Sequence, residues 1–379
     1  MSARTSNGLG IATRVFGSQW FVSVLAVLIA FVIGAILIAL SGASVLDAYY
    51  AMFRGSIVDP NAATFVRQIK PLTDSLFYSI PLIISGLGLA LGFRAGLFNI
   101  GGKGQIIVGA LAAVWVGFAV NLPPVVHTLV ALLVAIVAGG LYAGIAGVLK
   151  AKTGANEVIV TIMLNSIATL GLGYVLAQKA WQVPGSNQPV TPKVAESAAL
   201  TRLLPAPFKL HVGFIVALVA LAFFWWLIER STLGFQIRAV GANAAAARTA
   251  GISVERITAI TMVLSGAFLG LAGANEALGT IGYVSRDVAG TVGFDAITVA
   301  LLGRNKTWGT FGAGLLFGAF KAGGYTMQAK GVPIDMILIL QSVIVLLIAA
   351  PALVRWLFRL PDVRALAAQK RKGNADEHK

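Results

Sequence analysis

The sequence predicts an all-α polytopic membrane protein that crosses the bilayer about ten times, with some helices broken or half-length. Three observations carry this. Hydrophobic residues make up 58% of the 379 and charged residues only 11%, with a mean hydropathy of +0.86; soluble domains carry roughly 25% charged residues. Apolar runs of the length a membrane helix needs, ~20 residues, recur along the chain. The net charge of +15, from 29 Lys+Arg against 14 Asp+Glu, comes from bases gathered between and after those runs, the pattern of cytoplasmic loops and not of a nucleic-acid surface. Cysteine is absent and the His are His127, His211 and His378, so disulfides, thiol chemistry and a cysteine or histidine metal site are excluded.

Residues 1–19 carry Arg4 and Arg14 ahead of an apolar run over 20–40. With no small-residue cleavage site after a short core, that run reads as a retained first helix. Further spans are expected at 76–93, 105–120, 125–149, 158–177, 212–228, 257–276, 311–327 and 334–354, with 293–303 as a half-length or broken helix. If the N-terminus is inside, Arg94, Lys150 with Lys152, the loop 230–256, Arg304 with Lys306 and the tail 355–372 all fall on the cytoplasmic side. That agreement needs an even number of crossings, and so counts the short segment. Segments 41–75 and 179–211 then face outward, and Pro184, Pro189, Pro192, Pro205 and Pro207 suit the second to an ordered cap. The chain is expected to be one transmembrane domain over 1–366, with a basic cytoplasmic tail over 367–379.

Polar residues inside such spans are costly unless they are paired or line water. The run 94–105 holds Gly96, Gly101, Gly102 and Gly104 between two spans, which interrupts helix and leaves Asn99 and Gln105 to hydrogen-bond a passing solute or to sit in a plain turn. Asn156 and Glu157 suit a helix start, whereas Asn165 lies about two turns deeper. Asn275 and Glu276 end a span, and Asp295 sits in the short segment, where it either pairs with Arg286 or meets a hydroxyl or proton. Gly140 with Gly144, Gly266 with Gly270, and Gly314 with Gly318 have the one-turn spacing of close helix contacts.

Outside the spans, 238–252 is a run of small residues with Arg238 and Arg248 near its ends. Asn243 is a good N-cap, alanine the strongest helix former and Gly251 a stop, so a two-turn helix with few large side chains is expected. It reads as a docking helix for another protein, the alternative being an Ala-rich polar loop. Gly101-Gly102-Lys103-Gly104 lacks the spacing and hydroxyl of a phosphate loop, and neither His-Glu-x-x-His nor Gly-x-Ser-x-Gly occurs.

Together, Phe93 through Gln105, Asn156-Glu157-Val158-Ile159, Ala239-Val240-Gly241 through Ala250-Gly251-Ile252, and Ala300-Leu301-Leu302-Gly303-Arg304-Asn305 resemble ABC importer permeases of the branched-chain amino acid and simple-sugar superfamily. Within it they look most like the nucleoside-uptake branch, whose partner is a BMP-type binding lipoprotein. Lys103 departs from the pattern, since that branch often has an acidic residue there. The resemblance implies a type II ABC importer-like fold in a bacterial cytoplasmic membrane, both termini cytoplasmic, and a chain that is not itself an enzyme and binds no cofactor or metal. It implies a second, shorter sister permease, a tethered extracytoplasmic substrate-binding lipoprotein, and separate ATPase subunits that hold ATP and Mg. Membrane lipids surround it and nucleic acid is no partner. Gly241, Asn243, Ala247, Arg248 and Gly251 would form the coupling helix, with Gly241 and Gly251 as its limits, Arg248 pairing with an acid on the ATPase, and a bulky residue at 247 abolishing transport without affecting folding. The solute would be a nucleoside or related riboside; alternatives are a simple sugar, or a proton- or sodium-coupled carrier working through Glu157, Glu276 or Asp295. Asn99, Gln105, Asn165, Asn275, Glu276 and Asp295 are the pathway candidates.

Overall fold

A computed structural model describes residues 19–186, 188–329, and 331–333, 336, 338–339, 342–343 and 346–347. The expected span at 334–354 lies largely outside the described residues, and the tail at 355–379 lies wholly outside them. The elements are α1 (Gln19–Leu40), α2 (Val45–Ser56), α3 (Phe65–Arg94), α4 (Gly102–Ala119), α5 (Val126–Thr153), α6 (Glu157–Ala177), α7 (Gly213–Arg230), α8 (Thr232–Ala242), α9 (Ala244–Thr249), α10 (Val254–Asn275), a π-helical segment (Glu276–Ile281), α11 (Val292–Leu302) and α12 (Thr307–Gln328). Among the described residues the extended pairing is a single bridge between Arg202 and His211. Also among the described residues, six helices are long and apolar enough to cross a membrane: α3 to α7, and α10 with the π segment; Val27–Leu40 and Val292–Leu302 are shorter apolar helices. Lys321 and the glycine, threonine and glutamine positions around it leave α12 as long as a span but less apolar.

The chain divides into two compact units, Met1–Ala51 with Gly324–Lys379, and Met52–Gly323. In the first, the Tyr49 hydroxyl donates to the Phe31 carbonyl at 2.5 Å, and their rings meet edge to face at 5.4 Å. The second is built around α3. From Ile80 to Gly92 every residue of this helix is buried, so it is apolar all round, the signature of a helix enclosed by others. It starts at Phe65, not near 76, because Thr64 caps it by accepting from the Arg67 N–H; the polar first turns belong to the same helix.

Glycine sets the closest approaches. A Cβ on Gly270 would stand 2.2 Å from the Ala135 carbonyl oxygen, and one on Gly266 2.3 Å from that of Gly139, so α10 and α5 touch backbone to backbone. Gly109 brings α4 into the same junction, where its Cβ would meet Gly270 Cα at 2.4 Å. Gly314 and Gly318 do the same for α12 against Ile83 and Ser79 of α3. In a bilayer, where lipid is as apolar as leucine, such close packing is a main source of helix association.

Candidate functional site

The turn between α3 and α4 is held by side-chain amides. Asn99 and Gln105 exchange reciprocal bonds, Asn99 Nδ2 donating to Gln105 Oε1 and Gln105 Nε2 to Asn99 Oδ1, both at 3.0 Å. Asn99 Nδ2 also donates to Ser265 Oγ of α10 at 3.0 Å, and Asn99 Oδ1 accepts from the Gly101 N–H at 2.9 Å. Across the turn, Asn165 of α6 accepts from the Gly104 N–H at 2.7 Å and donates to the Ile100 carbonyl at 2.8 Å; Thr161 accepts from the Ile100 N–H at 3.2 Å. Asn99 and Gln105 are each 1% exposed. The three amides expected to offer bonds to a solute thus bond one another and the backbone, which answers the need of non-helical chain at membrane depth for internal partners. Nor is this a plain water-facing turn. A Cβ on Gly293 would stand 2.5 Å from the Lys103 N, so the start of α11 rests directly on the start of α4.

A second polar region lies where α10 passes into the π segment. Asn275 is fully buried, and among the described residues neither its Oδ1 nor its Nδ2 has a hydrogen-bond partner. His211 lies against it: a Cβ on Gly213 would meet Asn275 Nδ2 at 2.1 Å and His211 Nδ1 at 2.6 Å. His211 Nδ1 accepts from the Gly213 N–H at 3.1 Å. The proton therefore sits on Nε2, which has no partner among the described residues. Burial pushes His211 down to about 4, so the ring is neutral near pH 7.

The remaining charged groups are Glu276, Asp295 and Lys321, on the π segment, α11 and α12. Among the described residues no ion pair within 4.0 Å joins Lys321 to either carboxylate. The expected Asp295–Arg286 pair is not formed. Instead the Thr291 hydroxyl donates to Asp295 Oδ2 at 2.6 Å, because Asp295 lies in the first turn of α11, four residues after Thr291, which immediately precedes the helix. Glu157 binds Lys150 of α5 at 2.7 Å, while Asn156 caps α6 through the N–H groups of Val158 and Ile159.

Between α8, α9 and the start of α10 lies an open groove of about 560 Å³, lined by Thr232, Phe235, Gln236, Ala239, Ala242, Asn243, Ala246, Ala247, Ala250 and Ile252. Asn243 caps α9, accepting from the Ala246 N–H at 3.0 Å, and Gly251 ends it with φ +82. Three details differ from expectation. Gly241 lies in the last turn of α8, one residue before its end, and does not open α9: its Cβ would stand 2.0 Å from the Arg94 carbonyl oxygen, so it lets α8 press on the end of α3. Ala247 is 4% exposed, because it faces its neighbours, so a bulky residue there would disturb folding; Ala246 and Ala250, which also line the groove, are exposed. Arg248 has an acid within its own chain, Glu255, at 2.7 Å.

Sequence reasoning passed over Lys321, His211, Ser265 and Thr161. A lone lysine inside an apolar run was a visible signal; the other three become polar partners only when distant segments meet.

The chain matches, over residues 72–349, the family described as branched-chain amino acid transport system, permease component. It is 40% identical over 349 residues to the guanosine ABC transporter permease protein NupP of Bacillus subtilis (strain 168), covering 89% of this chain and 95% of that one. Over 333 residues it is 35% identical to the glucose ABC transporter permease protein TsgB13 of Haloferax volcanii, with 85% of each chain covered. It is 30% identical over 363 residues to the nucleoside ABC transporter permease protein NupB of Lactococcus lactis subsp. cremoris (strain MG1363), covering 93% and 97%. No solved structure gives a significant match.

Proposed function

Because the chain belongs to the family of branched-chain amino acid transport system permease components, we propose that it forms half of the solute pathway of an ATP-driven importer for nucleosides. The observation that carries this reading is the groove beside α9. A capped six-residue helix bearing only small and basic side chains, next to an open 560 Å³ groove, is built to receive a protein surface, and a self-sufficient carrier has no use for one. The nucleoside assignment is supported by NupP and NupB.

The groove receives a separate ATPase subunit, which holds ATP and Mg; a second permease completes the pathway, and a binding lipoprotein delivers solute from outside. The basic loops place α8, α9 and both termini on the cytoplasmic side of a bacterial inner membrane. Closure of the ATPases displaces α9, and the helices attached to it shift between outward-open and inward-open arrangements. Asn243, Arg248 and Gly251 shape the docking helix, Gly241 seats it on α3, and Ala247 anchors it. Asn275, Glu276 and Asp295 line the pathway, while Asn99, Gln105 and Asn165 hold its frame.

The test is uptake of labelled guanosine, adenosine, uridine, ribose and glucose by cells with and without the gene, with Ala246→Trp alongside. Loss of nucleoside uptake in both the deletion and the normally expressed variant is expected. Uptake of nucleosides unchanged in the deletion, with glucose or ribose uptake lost, moves the substrate to sugars; full activity of Ala246→Trp refutes docking at the groove.

A further inference from the structure

Arg94, the last residue of α3, touches three other elements of the second unit. Its carbonyl oxygen would stand 2.0 Å from a Cβ on Gly241 of α8, and a Cβ on Gly96 would meet Gly241 Cα at 3.6 Å, so the end of α8 lies backbone on backbone against the turn 94–96. Its side chain reaches the turn between α11 and α12, where Nε donates to the Asn305 carbonyl at 2.7 Å. Its Nη2 stands 4.0 Å from Glu229 at the end of α7, a carboxylate that also faces Arg238 of α8 at 3.7 Å. The turn it reaches has an unusual backbone. The Arg304 N–H donates to the Leu301 carbonyl and the Asn305 N–H to the Ala300 carbonyl, both at 2.9 Å, the pair of bonds that ends a helix through a left-handed residue, usually glycine. Here the left-handed residues are Arg304 and Asn305, at φ 54 and 55.

Backbone of that kind persists only where its surroundings impose it. Close packing imposes part: a Cβ on Gly309 would stand 2.2 Å from the Gly303 carbonyl oxygen, so the start of α12 presses on the end of α11. The charge-assisted bond from Arg94, directional and stronger than one between neutral groups, holds the turn from α3. The turn's own polar contacts do not: Asn305 Oδ1, Thr307 Oγ1 and Thr310 Oγ1 are buried without a hydrogen-bond partner among the described residues, and such groups cost free energy until a rearrangement or a water supplies one. We infer that Arg94 is a positioning residue for transport, which clamps the α11–α12 turn in this strained form and ties its place to that of α8. The inference rests on the docking reading above for what moves α8, and adds to it the residue through which that movement reaches α11. Glu229, shared with Arg238, gives the same guanidinium a second hold on α8.

The chain contains no cysteine, so a single introduced thiol reports on the turn. Thr310→Cys near the start of α12 and Thr261→Cys on α10, both fully buried, and Lys152→Cys, exposed, are made one at a time in the full transporter, and their labelling rates with N-ethylmaleimide are measured in broken membranes. Lys152→Cys is expected to label fast and the two buried cysteines slowly. Arg94→Ala should speed Thr310→Cys by roughly tenfold or more, the change in opening that follows loss of one hydrogen bond to a charged group, and leave Thr261→Cys as it was. Gly241→Ala, which displaces α8 while Arg94 remains, should also speed Thr310→Cys, and the two substitutions together should do no more than Arg94→Ala alone, because they break one link. A side chain that only stabilised the fold would loosen Thr261→Cys as well and would add to Gly241→Ala. A Thr310→Cys rate indifferent to Arg94→Ala or to Gly241→Ala, equal acceleration at Thr261→Cys, or additive effects overturns the proposal. Where Arg94→Ala fails to assemble, Arg94→Lys decides in its place: a single ammonium lacks the fork that holds Asn305 while facing Glu229, so acceleration is expected and its absence is a refutation. The labelling needs neither solute nor ATPase, so failure of the docking reading, seen as full activity of Ala246→Trp, is told apart from failure of this one.

Discussion

The backbone contact between α5 and α10 makes one substitution act with opposite sign at two glycines. At Gly270, an added Cβ would lie 2.2 Å from the Ala135 carbonyl oxygen and 3.0 Å from Gly139 Cα. An ordinary contact of a carbon with an oxygen is near 3.4 Å, so Gly270→Ala must push two helices apart by roughly 1 Å, or twist one of them, at the most closely packed junction of the fold. Overpacking of this kind costs about 1–3 kcal/mol, against a gain of at most about 1 kcal/mol from alanine's higher helix propensity. At Gly171, on α6, an added Cβ meets nothing within 4 Å. Only the propensity term remains there, and Gly171→Ala should be neutral or stabilising by up to about 1 kcal/mol. The assay is the apparent melting temperature of detergent-solubilised protein, read by fluorescence-detected size exclusion after heating. Gly270→Ala should melt lower than the parent and Gly171→Ala at or above it. A Gly270→Ala variant that melts with the parent would refute the claim that this contact is made by backbone.

Asn165→Ala removes the partner of the Gly104 N–H and the Ile100 carbonyl, leaving two buried backbone groups unsatisfied at about 1–3 kcal/mol each; the same heating assay should show a larger drop than for Thr169→Ala, which loses one intrahelical bond. Gly241→Ala, with its Cβ 2.0 Å from the Arg94 carbonyl oxygen, should lower uptake at normal expression by displacing α8 and the groove, while Gly154→Ala, whose Cβ has open space but whose φ is +72, should affect stability alone. His211 supplies a pH dependence. Its pKa is lowered to about 4 when folded from the usual ~6.5, so below pH 6.5 the unfolded chain takes up a proton that the folded chain refuses. Stability should therefore fall as pH drops from about 6.5 towards 4, by roughly 3 kcal/mol in all, and level off below; His211→Gln should remove that slope, and an unchanged slope would show that His211 is not the group responsible.

What the sequence made legible was what is encoded locally. Asn243 as cap and Gly251 as stop of α9 are read from neighbours, and the glycine spacings of α5 and α10 point to close contact before any partner is known. The amides were visible as costly groups but not as partners. Asn99 reaches Ser265 across 166 positions and Asn165 reaches Ile100 across 65, and nothing short-range says that a buried amide will spend its bonds on the chain and not on a solute. Gly241 does stand beside a helix end, one residue before α8 stops; its close approach to the Arg94 carbonyl is a tertiary contact that no neighbouring residue announces. Arg248 is the opposite case: its intrachain partner Glu255 stands only seven residues on, a spacing short enough to read from the sequence.

The mechanical route from the groove into the membrane follows from one helix. A six-residue helix such as α9 cannot hold itself together, since isolated helices need ~12–15 residues even for alanine-rich sequences. It keeps its shape through the buried Ala247, the Ile252 N–H to Ala247 carbonyl bond at 3.0 Å and the Arg248–Glu255 pair into the first turn of α10. Force on α9 is therefore delivered to α10. That helix has 22 residues, ~33 Å at 1.5 Å per residue, and ends at Asn275 and Glu276. Its glycines seat it on α5 without intervening side chains, and a contact of backbone on backbone slides or tilts as a unit because there are no rotamers to absorb the strain. The helix becomes π-helical at Glu276, and such turns inside α-helices occur frequently at functional positions. A displacement imposed at the groove thus reaches Asn275 and Glu276, ~33 Å away at the other end of the same helix.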